Sequence, residues 1–167
     1  MDAGLLTVRL VLGVLMAAHG AQKLFGWFGG YGLHGTAGFF EALGFRPGRA
    51  FAALAAATEV ASGVLLAAGL LTPVAGALVV SVMIVAAVSV HWQHGVFAAG
   101  NGIEVPLLYG AGAAALTLTG PGAYSFDALL GLTPYWTAPL SWTILALGVL
   151  AGVANLALRR VPVTATA

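Results

Sequence analysis

The chain has 167 residues, of which 60% are hydrophobic and 7% charged, with a formal net charge of +1 and no cysteine. Soluble domains carry about 25% charged residues, so this composition is that of an integral membrane protein, and the length suits a single bundle. The near-neutral charge excludes a nucleic-acid footprint. The lack of cysteine excludes thiol–disulfide chemistry, thiolate metal sites and cysteine-ligated iron–sulfur clusters within the chain.

The N-terminus, Met1-Asp2-Ala3-Gly4, lacks the basic region of a cleaved signal peptide, so the first apolar run, residues 5–25, reads as a retained span. Within it Arg9, Gly13, Met16, Gly20 and Lys23 recur in steps of four, three, four and three. On a helix these positions form one narrow stripe, with its two cations roughly 21 Å apart along the axis. The glycines between them let another helix approach closely. Arg9 and Lys23 either snorkel to the two interfaces or face the bundle and pair with acids.

After Gly26–Gly30 the segment HGTAGFFEALGF predicts a short helix, with Thr36 as N-cap, Phe39, Phe40 and Leu43 as an apolar face, and Gly44 as C-cap. It is expected at the interface or folded back on the bundle. A second span, residues 50–71, carries Glu59 near its middle. Thr72 and Pro73 suit the cap and first position of the next helix, so spans two and three form an antiparallel hairpin. Span three, residues 74–91, ends in His91-Trp-Gln-His94. Span four, residues 104–119, is short and starts at Glu104. Residues 120–127 break the helical pattern, Tyr124, Tyr135 and Trp136 suit an interface, and span five covers residues 140–158. The tail, residues 161–167, is expected to be loose.

Only helices or closed barrels satisfy the backbone in lipid, and these runs are too long and too close together for barrel strands. The fold expected is an all-α polytopic membrane helix bundle. A four-helix core occupies residues 1–127. An interfacial segment, a fifth span and the tail occupy residues 128–167. The side reached after span one receives Lys23, Arg46, Arg49, Arg159 and Arg160, and the other receives Arg9. That asymmetry places the first side in the cytoplasm.

If the ends of spans one and two are level, Glu59 lies beside Leu15, within about 9 Å in height of Arg9, 6 Å of His19 and 12 Å of Lys23. A lone carboxylate at mid-membrane is costly unless paired or protonated, so Arg9 or His19 is its expected partner. A second polar group gathers on the cytoplasmic side: His19, Lys23, His91, His94 and Glu104, with His34 and Glu41 nearby. Hydrogen-bonding histidines at a wet helix end, a metal site, a proton relay and a quinone-headgroup site are the alternatives. The spacing fixes no metal ligand set. Asp127, just past Gly120-Pro-Gly122, reads as a turn cap.

Several segments together resemble the DoxX family: RLVLGVLMAAHGAQKLFGWFGG, GTAGFFEALGF, TEVASGVLLAAGLLTP, HWQHGVF…GNGIEVPLLYGAG and GPGAYSFD, over residues 9–127. The resemblance implies a four-helix membrane bundle with a cytoplasmic N-terminus, opposite to the charge count, and leaves span five outside. It also implies a setting of quinol oxidases, thiosulfate:quinone oxidoreductases and membrane partners of proteins that handle sulfur compounds and oxidative stress. The reading is a multi-pass cell-membrane protein serving as a quinone-linked redox subunit or partner. Arg9, His19, Lys23, Glu59, His91 and Glu104 are its candidate cofactor-binding residues, and a quinone is its candidate cofactor. A soluble or membrane redox protein is the candidate partner, a homo-oligomer stays open, and catalysis by the chain itself is undecided. The rival is a non-enzymatic scaffold or small-solute transporter in which the same charges fix packing or line a path.

A reporter fused after Arg160 is expected to read cytoplasmic, and one inserted at Thr133 external. Opposite readings at both sites would invert the orientation, and identical readings would remove the fifth crossing.

Overall fold

In a computed structural model, which describes residues 1–160, seven α-helices and several short 3-10 turns make an all-α membrane bundle. The helices are α1 (Asp2–Phe25), α2 (Gly32–Ala42), α3 (Gly48–Ala68), α4 (Thr72–Ala86), α5 (Glu104–Thr119), α6 (Phe126–Leu129) and α7 (Ala138–Ala157). Four stretches are long and apolar enough to cross a membrane: α1, α3, α4 with its extension to His94, and α7. The expected loose tail lies outside the described residues.

Four of the five α1 stripe residues are buried, Arg9, Gly13, Met16 and Gly20, together with Ala21, and Lys23 is partly exposed. Its partner is α3. A Cβ on Gly13 would meet the Gly63 carbonyl oxygen at 2.6 Å, one on Gly63 would meet the Gly13 carbonyl oxygen at 2.6 Å, and one on Gly20 would meet the Ala56 carbonyl oxygen at 2.7 Å. The two backbones therefore touch, with no room for side chains between them. Met16 and Leu66 then join Val79, Val80, Ala113 and Leu116 in the central core, which ties α4 and α5 to the first pair.

α4 is the hub on the other side. Gly76 of α4 packs against Ala113 and Thr117 of α5, which runs antiparallel to it. Gly148 and Gly152 of α7 pack against Ala77 and Ser81 of α4, so α7 runs parallel to α4. α7 ends at the loop between α2 and α3: the Arg160 amide donates to the Gly44 carbonyl at 2.8 Å, and Arg159 Nε donates to the Leu43 carbonyl. α7, the expected fifth span, thus returns to the end of the bundle that holds Arg46 and Arg49. With 16 residues, α5 is about 24 Å long.

Local signals decide the ends. Gly44 closes α2 as predicted: its amide donates to Glu41 and the Phe45 amide to Phe40, and its φ is 94°. Gly69, with φ 68°, closes α3 in the same way through Leu66 and Leu65. Two expected N-caps are corrected. α2 begins at Gly32, four residues before Thr36, and Thr36 is buried with its hydroxyl donating to the Lys23 carbonyl at 3.4 Å. Packing on the end of α1 has displaced the capping role. The Thr72 hydroxyl makes no cap either, because the Leu71 and Thr72 amides donate to the Asp127 carboxylate instead. Pro73 occupies the first turn of α4 as expected. α2 folds back on α3 and α1 rather than lying apart.

The contact of α1 with α3 should be the least tolerant of added volume. Gly63→Ala should lower the detergent unfolding midpoint by an amount equivalent to about 1–3 kcal/mol. Gly4→Ala, where a Cβ meets nothing within 4 Å, should leave it unchanged.

Candidate functional site: an ion pair beside an apolar cavity

The α1–α3 register corrects the expected partner of Glu59. Gly13 faces Gly63 and Ala67, and Gly20 faces Ala56 and Val60, so Glu59 is level with His19 rather than Leu15. Levelling the helix ends fails because α3 starts beyond the end of α1, carried there by the intervening α2, and the glycine contacts then fix the slide. Lys23 is one turn away, about 6 Å in height, and its Nζ forms an ion pair with Glu59 Oε1. Glu59 is 1% exposed and Lys23 29%. Neither Arg9 nor His19 partners the carboxylate. Glu59 Oε2 is buried and has no hydrogen-bond partner.

The pair borders a cavity of about 280 Å³ between α2, α3, α4 and α7. Phe39 and Phe40 of α2 and Leu43 just after it, the predicted apolar face, form one wall, with Phe45 from the following loop and Phe51 from α3. Leu78, Val82 and Val85 of α4 form another, and α7 contributes Ala151 and Asn155. Phe39 and Leu54 on its border are 50% and 54% exposed, so the cavity meets the outer surface of the bundle at the level of its apolar spans. Ser89, also on the border, has a buried hydroxyl without a partner. It sits where α4 passes into a π turn, Ala87–His91. Such turns often mark functional positions.

The other sequence candidates go elsewhere and do not line this cavity. His19 Nδ1 contacts the Leu15 carbonyl of its own helix at 2.8 Å, and its ring meets Tyr109 edge-on, centroids 6.1 Å apart. His91 Nδ1 lies 2.8 Å from the Asn101 carbonyl, and Glu104 Oε2 accepts from the Ala98 amide at 2.7 Å. Both brace the loop between α4 and α5. His94 contacts the Val90 carbonyl at 3.0 Å, and Glu41 accepts from the Gly48 amide at 3.2 Å. Among the described residues no group of three or more His, Asp or Glu side chains is placed to hold a metal.

Arg9 lies at the opposite end, wholly buried, donating to the Pro121 carbonyl at 2.9 Å and to the Tyr124 carbonyl. Asp127 Oδ1 and Oδ2 accept the Leu71 and Thr72 amides at 2.8 and 2.9 Å, and its own amide donates to Gly69 at 2.8 Å. The predicted turn cap therefore caps a helix 55 residues away and satisfies donors at the positive end of its dipole. Ser125 caps α6 itself, its hydroxyl accepting the Ala128 amide at 3.1 Å.

Sequence reasoning missed Ser89 and Asn155 as cavity residues. Each is a polar side chain inside an apolar run, which was the available signal, but the π turn has no sequence signature.

A family model for DoxX matches residues 4–92, more than half of the chain, and the chain belongs to the DoxX family. That segment contains Lys23, Glu59 and Ser89, while α5 and α7 lie beyond it. No curated protein and no solved structure matches the chain.

Removing one member of the ion pair leaves the other uncompensated, at a cost on the order of 3–5 kcal/mol. Lys23→Met should therefore lower the unfolding midpoint more than the double variant Lys23→Met/Glu59→Leu does. Arg9→Met should be additive with Glu59→Leu. Coupling between Arg9 and Glu59, or additivity between Lys23 and Glu59, would contradict the pairing.

Proposed function

We propose that this DoxX-family membrane protein holds the headgroup of a lipid-soluble quinone beside the Lys23–Glu59 pair, as the cell-membrane subunit or partner of a quinone-linked oxidoreductase system. The observation that carries the reading is an ion pair with a buried carboxylate on the border of an apolar, aromatic cavity that meets the outer surface of the bundle. Small-molecule sites are commonly mostly apolar with a few placed polar groups.

The residues fit such a group. Quinone oxygens need donors, and Lys23 has three N–H bonds, one of them directed at Glu59. The Ser89 hydroxyl is a second, unengaged donor. The rings of Phe39, Phe40, Phe45 and Phe51 offer flat apolar wall for the ring and the start of its tail. A bound quinone supplies two-electron, two-proton carrier chemistry. This chain's part is to bind and orient the headgroup, to shield it with α2, and to hold charge beside its oxygens. With no cysteine in the sequence, the reading assigns the electrons to a partner protein or a soluble substrate. Sulfur compounds and oxidative-stress systems are the class the family resemblance suggests.

The scaffold reading has support at the other end of the bundle. Arg9 and Asp127 are directed at carbonyls and amides that join α1, the α3–α4 turn and the segment before α6, and neither lines the cavity beside the ion pair. They are assigned a packing role.

Val85→Trp fills the cavity from α4 and leaves both members of the ion pair in place. Protein in lipid nanodiscs should crosslink a photoreactive quinone analogue at residues 39–58 and 78–90, and Val85→Trp should weaken its binding by about tenfold, or ~1.4 kcal/mol. Absent labelling, or labelling unchanged by the substitution, would leave the scaffold reading in its place.

A further inference from the structure

The polar atoms around the cavity are unequal in kind, and the inequality bears on which form of a quinone they suit. As the anionic half of an ion pair, Glu59 offers acceptors only. Its Oε1 is taken by Lys23, while Oε2 is buried with no partner in a side chain that is 1% exposed. Lys23 has N–H bonds beyond the one directed at Glu59, and the Ser89 hydroxyl can turn to donate or accept. The site therefore has donors that a ligand oxygen can use, and one strong acceptor that only a ligand hydroxyl can satisfy.

A quinone carries acceptors alone. Its carbonyl oxygens can take hydrogen bonds from Lys23 and Ser89, but nothing on the ring can donate to Oε2. A buried acceptor left without a donor is costly, the more so when it is charged. A quinol has the same ring and the same apolar contacts with O–H in place of C=O. One hydroxyl can donate to Oε2 in a charge-assisted bond while its lone pairs accept from Lys23. Sites built around a ligand hydroxyl discriminate against the analogue that lacks it, and strongly, because their own polar groups are otherwise stranded.

Resting on the quinone-site reading above, we infer that the cavity selects the reduced, hydroxyl-bearing form of its ligand, and that Glu59 Oε2 is the atom that makes the selection. Lys23 is a positioning residue in this scheme, holding the carboxylate against α1 with Oε1 engaged and Oε2 free.

The test is binding, with no turnover required. The full chain in nanodiscs is titrated in oxygen-free buffer with a short-chain benzoquinol and with the matching benzoquinone, read by quenching of intrinsic tryptophan fluorescence. The quinol should bind at least about tenfold more tightly. A redox titration of the bound couple provides a second readout on the unaltered protein, with its midpoint raised by about 30 mV for a tenfold preference. Glu59→Gln puts an N–H donor into the side chain and should bring the two affinities within about twofold of each other, whereas Ser89→Ala should weaken both forms and leave the preference standing. Equal binding of both forms to the unaltered protein, an unshifted midpoint, or a preference that survives Glu59→Gln would overturn the selection while leaving the quinone site in place. Failure of both forms to bind would overturn the quinone reading and the selection with it.

Discussion

The contact between the backbones of α1 and α3 sets the position of everything polar in this bundle. Gly13, Gly20 and Gly63 let the two helices approach until carbonyl oxygens sit where side chains would otherwise stand. In lipid the hydrophobic effect gives helices little reason to associate, so van der Waals packing of small residues carries the association. Such a contact also fixes the longitudinal register, because glycines must meet the turns that tolerate them. A slide of one turn in the direction that widens their present one-turn offset would carry Lys23 away from Glu59 and leave a buried carboxylate alone. The ion pair is therefore a consequence of the glycine packing, and the cavity it borders is bounded by what α2 and α7 add around that fixed pair.

The two buried charged groups of the bundle differ in what surrounds them. At one end Arg9 and Asp127 are directed at backbone: two carbonyls for the guanidinium, whose Nε is buried without a partner, and two amides for the carboxylate. Each of these bonds ties together segments distant in sequence, and the Asp2 carboxylate adds another by accepting the Ala123 amide at 2.8 Å. At the other site Glu59 has one oxygen engaged and one idle, next to open volume and an unengaged serine hydroxyl. Unsatisfied buried polar atoms are uncommon in folded proteins and call for an explanation where they occur. A stripe that reads as two equivalent cations in the sequence thus divides into one that holds the fold and one that faces a ligand-sized space.

The sequence made much of this legible. The stripe on α1 follows from helical periodicity alone, and the C-cap at Gly44 follows from glycine's access to positive φ. The apolar face of α2 was readable as a face, though not as a cavity wall. Register was not readable: aligning helix ends ignores the glycine contacts and misassigns Glu59 to Arg9 or His19. The cap on α4 was hidden for another reason. Thr72 is the expected residue type at the expected place, and a carboxylate 55 residues downstream reaches the same amides and is the stronger acceptor. Single-helix rules cannot anticipate a competitor supplied by tertiary structure. The cavity itself was invisible because it is made by helices that pack on α4 from opposite ends of the chain.

That construction divides the cavity between two parts of the chain. Lys23, Glu59, Ser89 and the aromatic wall from α2 and α3 all fall within the segment that the family model matches, residues 4–92. α7 lies outside it and adds Ala151 and Asn155, held against α4 by Gly148 and Gly152. On the quinone reading, the groups that meet headgroup oxygens are carried by the first part. The wall along which the remainder of the ligand would lie is completed by the second. α7 also ends on Leu43 and Gly44, immediately after the helix that carries Phe39 and Phe40. One helix thus both lines the cavity and bonds the loop at the C-terminal end of α2, so the position of the aromatic wall beside the ion pair depends on the docking of α7 as well as on the residues around the pair.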